Sequence, residues 1–203
     1  GSEMCIRDSA RKEASKLNVP RIGVRFRLPA SMNQVEYFGR GPAENYLDRN
    51  AGSMIGLYKS TAEELYFPYV RPQENGHHTD TRWVSLSTGK KGLLIQADNT
   101  IGFNALRNSI EDFDDEEATG LPRQWSNFTP EQVANHDEAA AKNVLRRQHH
   151  INDITPRDFV EVCVDLKQQG VAGYDSWGSR PEPAYTLPAN REYNWGFTLI
   201  PLK

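Results

Sequence analysis

Arg21-Ile22-Gly23-Val24-Arg25-Phe26-Arg27-Leu28 decides the fold class. Ile22, Val24, Phe26 and Leu28 alternate with Gly23, Arg25 and Arg27, a period of two that sends one face to a core and the other to water. The same period returns in Gln34 to Phe38, Thr81 to Ser87, Leu93 to Ala97, Ile101 to Leu106, Val160 to Leu166 and Tyr193 to Ile200. Gly39-Arg40-Gly41-Pro42, Thr88-Gly89-Lys90-Lys91-Gly92 and Gln169-Gly170 punctuate these runs, and the stretch from Gly89 to Gly92 is short enough to close a hairpin. The pattern predicts an all-β, antiparallel fold. Long helical segments do not alternate with the strands, which disfavours a parallel α/β sheet or a (β/α)₈ barrel.

The middle of the chain departs from this period. Thr129-Pro130-Glu131-Gln132 combines a capping Thr, a Pro at the first helical position and a Gln that completes a capping box, predicting one inserted helix over about 130–145. The acidic run Glu111-Asp112-Phe113-Asp114-Asp115-Glu116-Glu117 lacks the Gly and ligand spacing of a calcium loop and is read as a solvated loop. The insertion spans about 111–147. At the other end, Gly1-Ser2 reads as the remnant of a tag, and residues 1–19 as a polar, disordered leader outside the folded domain of 20–203.

Composition narrows the partners. The chain has 203 residues, 37% of them hydrophobic, enough for one main core. A net charge of -3 argues against a nucleic-acid partner, because phosphate binding needs clustered Lys and Arg, and Arg21, Arg25 and Arg27 are too short a tract to supply them. No apolar run reaches the roughly eighteen residues of a membrane span, so no membrane partner is expected. The two cysteines, Cys5 and Cys163, make no disulfide framework.

Two segments concentrate polar and aromatic groups. In Pro68 to Trp83, prolines and a glycine stiffen a stretch carrying Glu74, Asn75, His77, Asp80 and Arg82, a composition that suits a polyol-binding loop and equally a structural turn. In Gly170 to Gly178, Trp177 sits among glycines with Asp175 and Ser176 beside it. A ring there can stack on the apolar face of a sugar while the neighbours bond its hydroxyls, or it can plug the end of a core. His77-His78 and His149-His150 do not suit a metal, since adjacent residues of an extended segment face opposite sides. Ser176, His77 and Asp80 lack the sequence of a nucleophile elbow. Glu74, Asp80 and Asp175 can be drawn as a glycosidase carboxylate pair, but spacing does not place them face to face. Gly41-Pro42 reads as a tight turn rather than a phosphate loop, because Pro lacks a donor N–H.

Taken together, Val35 to Arg49 with its G-x-G-P-x-E-N-Y-x-D-R motif, Tyr69 to Gly76 with P-x-E-N-G, and Gly173-Tyr174-Asp175-Ser176-Trp177-Gly178 resemble the C-terminal, small-chain domain of family 2 β-galactosidases. The resemblance runs from about Pro20 to Lys203. It implies an antiparallel supersandwich of the galactose mutarotase type, truncated at its N-terminus, within a retaining enzyme of a bacterial cytoplasm or periplasm that hydrolyses terminal β-D-galactosides. In that family the catalytic glutamates and magnesium ligands lie on a central barrel that this sequence does not contain. No catalytic residue, metal ligand or cofactor is therefore expected in this chain, while the resemblance implies magnesium in the parent enzyme.

The expected partners are a β-galactoside and the barrel and other domains of the parent, with self-association through an exposed strand edge. The expected substrate contacts are Trp177, which matches the family's D-S-W tryptophan at the barrel mouth, together with Asp175, Glu74, Asn75 and His77. A free-standing carbohydrate-binding module and a sugar 1-epimerase using His77 or His78 with Glu74 are the competing readings.

Overall fold

A computed structural model describes residues 17–70, 73–113, 151, 154–175 and 177–203. The leader up to residue 16, Arg71 and Pro72, the expected helix over about 130–145, His149-His150 and Ser176 lie outside the described residues. Two compact units divide the chain: one contains 1–67, 75–107 and 158–203, and the other contains 68–74 and 108–157.

The first unit is all-β and antiparallel, consistent with the sandwich class expected. Its strands are β1 (Arg21–Pro29), β2 (Gln34–Gly41), β3 (Met54–Thr61), β4 (His78–Ser87), β5 (Gly92–Leu106), β6 (Phe159–Gln168) and β7 (Phe197–Leu202), hydrogen-bonded in the order β1-β6-β5-β4-β2-β3 with β7 also on β5. β5 is 15 residues long and pairs with β7 over Gly92 to Ala97 and with β6 over Gly102 to Leu106. The sequence reads this strand as two because its register against β4 breaks between the pairs Thr81 with Ile101 and Trp83 with Gln96, so the run from Ala97 to Thr100 bulges out of the ladder. β3 lacks clean alternation and was not expected. It forms because β2 offers it a full antiparallel register from Gln34 with Thr61 to Gly41 with Met54.

The core lies on one face of the sheet. Val35 and Tyr37 of β2, Val84 and Leu86 of β4, Ile95 and Phe103 of β5, and Val162 and Val164 of β6 are all at most 2% exposed. Tyr37, His78 and Phe103 meet there at ring separations of 4.9 to 5.0 Å. Burial drives the Tyr37 hydroxyl well above the usual phenol range. The hairpin expected at Gly89 to Gly92 is present, with the Thr88 N–H donating to the Lys91 carbonyl at 2.9 Å between β4 and β5.

At the C-terminus the strand begins at Phe197, later than the Tyr193 expected. Trp195 and Phe197 pack together at 5.3 Å, but Leu199, Ile200 and Leu202 stand exposed, so this segment is only in part the aromatic core packing its alternation suggests.

The described part of the second unit overturns one expectation. Asp112 is 8% exposed and receives Arg157 through Nε, at 3.1 and 3.0 Å to its two oxygens, and through Nη2. Its Oδ2 also accepts the Ser109 N–H at 2.9 Å. The start of the acidic run is therefore a buried, paired cap on a 3-10 turn (Ile110–Asp112) rather than a solvated loop; Asp114 to Glu117 lie outside the described residues.

Candidate functional site

The G-P-A-E-N-Y-L-D-R motif folds into a hub between β2 and β3 in which the polar side chains are held by hydrogen bonds to one another and to the neighbouring backbone. Asn45 is fully buried: its Nδ2 donates to the Arg40 and Ala43 carbonyls, both at 3.1 Å, and its Oδ1 accepts from the Thr79 N–H at 2.9 Å and the Thr79 hydroxyl at 2.6 Å. Glu44 accepts the Gly76 N–H at 2.6 Å and Arg49 Nη2 at 2.7 Å. Tyr46 stacks on His77 with ring centroids 5.5 Å apart. Asp48 points at the loop after β6, where Oδ1 accepts the Val171 N–H at 3.0 Å and Oδ2 the Ala172 N–H at 2.8 Å. That approach needs a glycine at position 170, because a Cβ there would lie 2.4 Å from Asp48 Oδ2.

Beyond this anchor the loop turns on itself. Ala172, Gly173 and Gly178 have φ of 53°, 79° and 81°, in the left-handed region. Asp175 Oδ1 accepts the N–H groups of Trp177 at 2.8 Å and Ser179 at 3.2 Å, an Asx turn made from the residue's own neighbours. The Tyr174 hydroxyl donates to the Arg180 carbonyl at 2.6 Å. The Trp177 indole stands 92% exposed on this braced backbone, which rules out the alternative in which it plugs the core.

The other residues nominated from sequence are placed differently. Asn75 is 1% exposed, its Oδ1 accepting the Phe67 N–H at 3.0 Å and its carbonyl accepting Asn104 Nδ2 at 2.7 Å. His77 is 1% exposed, with Nδ1 at 2.8 Å from Asn104 Oδ1. Since Asn104 Nδ2 is the donor to Asn75, Oδ1 is the acceptor, and His77 carries its proton on Nδ1.

Arg21 Nη2 reaches the same Oδ1 at 2.5 Å and Asp165 Oδ2 at 2.6 Å, and Arg21 Nε reaches Asp165 Oδ1 at 2.8 Å. Burial, reinforced by the Arg21 charge, holds the His77 imidazole neutral with a pKa pushed down to about 3. His78, at 0% exposed, is shifted the same way by burial. Neither ring has a solvent face to offer a sugar or an incoming proton, which removes the geometric basis of the epimerase reading.

Glu74 belongs to the second unit and is half-buried. Asp80, considered for a carboxylate pair, accepts Arg40 Nε at 2.5 Å. Among the described residues no three His, Cys, Asp or Glu side chains cluster in a way that would fit a magnesium ion. Sequence reading missed Arg21, Asn104 and Asp165 as a network, and Asp48 as a brace. Asp48 stood in view inside the motif, but its partners lie 123 and 124 residues away along the chain.

The hub and the braced tryptophan loop are built from the stretches that carry the family resemblance, and comparison with known proteins agrees with it. The family model described as beta galactosidase small chain matches residues 3–199. The chain is 34% identical over 201 residues to a beta-galactosidase of Priestia megaterium, covering 98% of this chain and 16% of that protein. It is 40% identical over 119 residues to one of an Arthrobacter species, covering 55% and 12%, and 29% identical over 181 residues to one of Vibrio cholerae, covering 89% and 14%. It thus spans about one sixth or less of the length of these curated relatives. With the match running through β1 to β6 and into β7, the chain belongs to the beta-galactosidase small chain family.

Proposed function

We propose that this chain serves as a non-catalytic domain of a β-galactosidase, presenting Trp177 to the carbohydrate at the mouth of an active site whose catalytic carboxylates and magnesium are supplied elsewhere in the enzyme. The observation that carries the reading is a 92% exposed indole on a backbone braced from three sides. Leaving so large an apolar ring in water is unfavourable, and a pre-organised loop spends little entropy when the ring meets a partner. The indole face suits the apolar face of a pyranose. Asp175 then supports Trp177 from within the loop, while Asn75 and His77 support the hub beneath it.

In the full-length enzyme, Trp177→Ala is expected to raise KM for a chromogenic β-galactoside about 5- to 20-fold, equivalent to a loss of about 1–2 kcal/mol of stacking. The unfolding free energy should stay within about 0.5 kcal/mol of the parent, since the side chain buries almost nothing. An unchanged KM would refute the role. The 203-residue chain alone should show no turnover, and saturable binding of lactose by it would favour a free-standing binding module instead.

A further inference from the structure

We propose that Asp48 is the positioning residue for Trp177, fixing the first half of the loop so that the indole meets the sugar in one orientation; this rests on the reading of Trp177 given above. Among the described residues, Asp175 braces the loop at Trp177 and Ser179, through hydrogen bonds within four residues of itself. The half that leaves β6 is held by a carboxylate on a different element. Val171 and Ala172 donate successive N–H groups to the two oxygens of Asp48, and Ala172 enters the left-handed region immediately after. Two parallel N–H donors on one carboxylate fix direction as well as distance, which a single hydrogen bond would not.

Asp48 is in turn fixed from below. Its neighbours Tyr46 and Arg49 close a backbone turn on each other, with N···O distances of 3.2 and 2.8 Å, and Arg49 pairs with Glu44 at 2.7 Å. The chain of contacts from Gly76 through Glu44 and Arg49 to Asp48 and the loop gives the E-N-Y-x-D-R motif a task at the tryptophan in addition to its local fold.

The test combines amide exchange on this chain with kinetics on the full-length enzyme. Asp48→Ala is expected to speed exchange at Val171 and Ala172 at least about tenfold while Thr79 and the β-sheet amides keep their protection. It should also raise KM about 5- to 10-fold with kcat unchanged, and add nothing further in a Trp177→Ala background. Asp48→Asn retains one acceptor oxygen and should fall between the parent and Asp48→Ala on both readouts, which distinguishes loss of positioning from loss of folding. Unchanged exchange, or an effect of Asp48→Ala that adds in full to that of Trp177→Ala, would overturn the proposal. If Trp177→Ala raises KM and Asp48→Ala does not, the Asp48 role alone falls; if Trp177→Ala leaves KM unchanged, the reading beneath it falls too.

Discussion

Asp165→Ala is expected to destabilise the protein by about 3–5 kcal/mol, a large share of the roughly 5–15 kcal/mol that holds an ordinary domain folded. Asp165 is 1% exposed and takes both donors of the Arg21 fork, at 2.8 and 2.6 Å. Arg21 is itself only 17% exposed at the side chain, so deleting the carboxylate leaves a largely desolvated guanidinium beside the neutral His77. The fold has made room for this pair. The β1–β6 register slips by one residue between the pairs Ile22 with Lys167 and Gly23 with Asp165, and a Cβ on Gly23 would fall 1.9 Å from Asp165 Oδ1.

The control is Glu36→Ala, which breaks the Lys59 pair at 3.3 Å between side chains 37% and 74% exposed. That exposed pair is worth at most about 1 kcal/mol. Urea unfolding followed by circular dichroism compares the two variants. Equal losses would mean that burial of the Arg21–Asp165 pair does not set its importance.

Acidification from pH 6.5 to 5 is expected to remove about 2 kcal/mol of stability through His77 alone. In the unfolded chain this histidine takes up its proton near pH 6.5; in the fold burial and Arg21 postpone uptake to about pH 3. Between those values the unfolded state binds more protons, so stability falls as pH falls, and the contribution is fully present only above about pH 6.5. His78 is shifted in the same direction and deepens the loss. The window from pH 6.5 to 5 precedes the titration of ordinary carboxylates and so isolates the histidines. Urea midpoints across that range should decline in the parent and decline less in His77→Asn, which keeps a donor toward Asn104 without a titratable ring. A flat profile in the parent, or NMR detection of a charged His77 at pH 5, would refute the linkage.

Both expectations concern groups whose residue types were visible in the sequence but whose partners were not. Nothing local to His77 distinguishes a sugar-binding histidine from one sealed under Tyr46, because the seal comes from a motif some thirty residues earlier. Asp112 illustrates the same limit. Its run of acidic neighbours suggests solvent, and a cation at Arg157, 45 positions on, overrides the suggestion. Asp175 errs the other way: its carboxylate serves its own loop's N–H groups, a short-range event that Asp-x-Trp spacing allows but does not announce.

By itself the sequence determined the fold class and the family. The period of two in β1, β2, β4 and β6 is a local consequence of side chains alternating across a strand, and the three motif stretches are read without knowing where they lie in space. It also nominated Trp177 as the carbohydrate contact proposed above. Tertiary structure decided that β3 joins the sheet, that Arg21, Asn104, His77 and Asp165 form one buried network, and that Asp48 reaches the tryptophan loop. Those outcomes turn on register, bulges and contacts that reach as far as 144 residues along the chain. There the free energy comes from burial and paired polar groups, which local propensity does not encode.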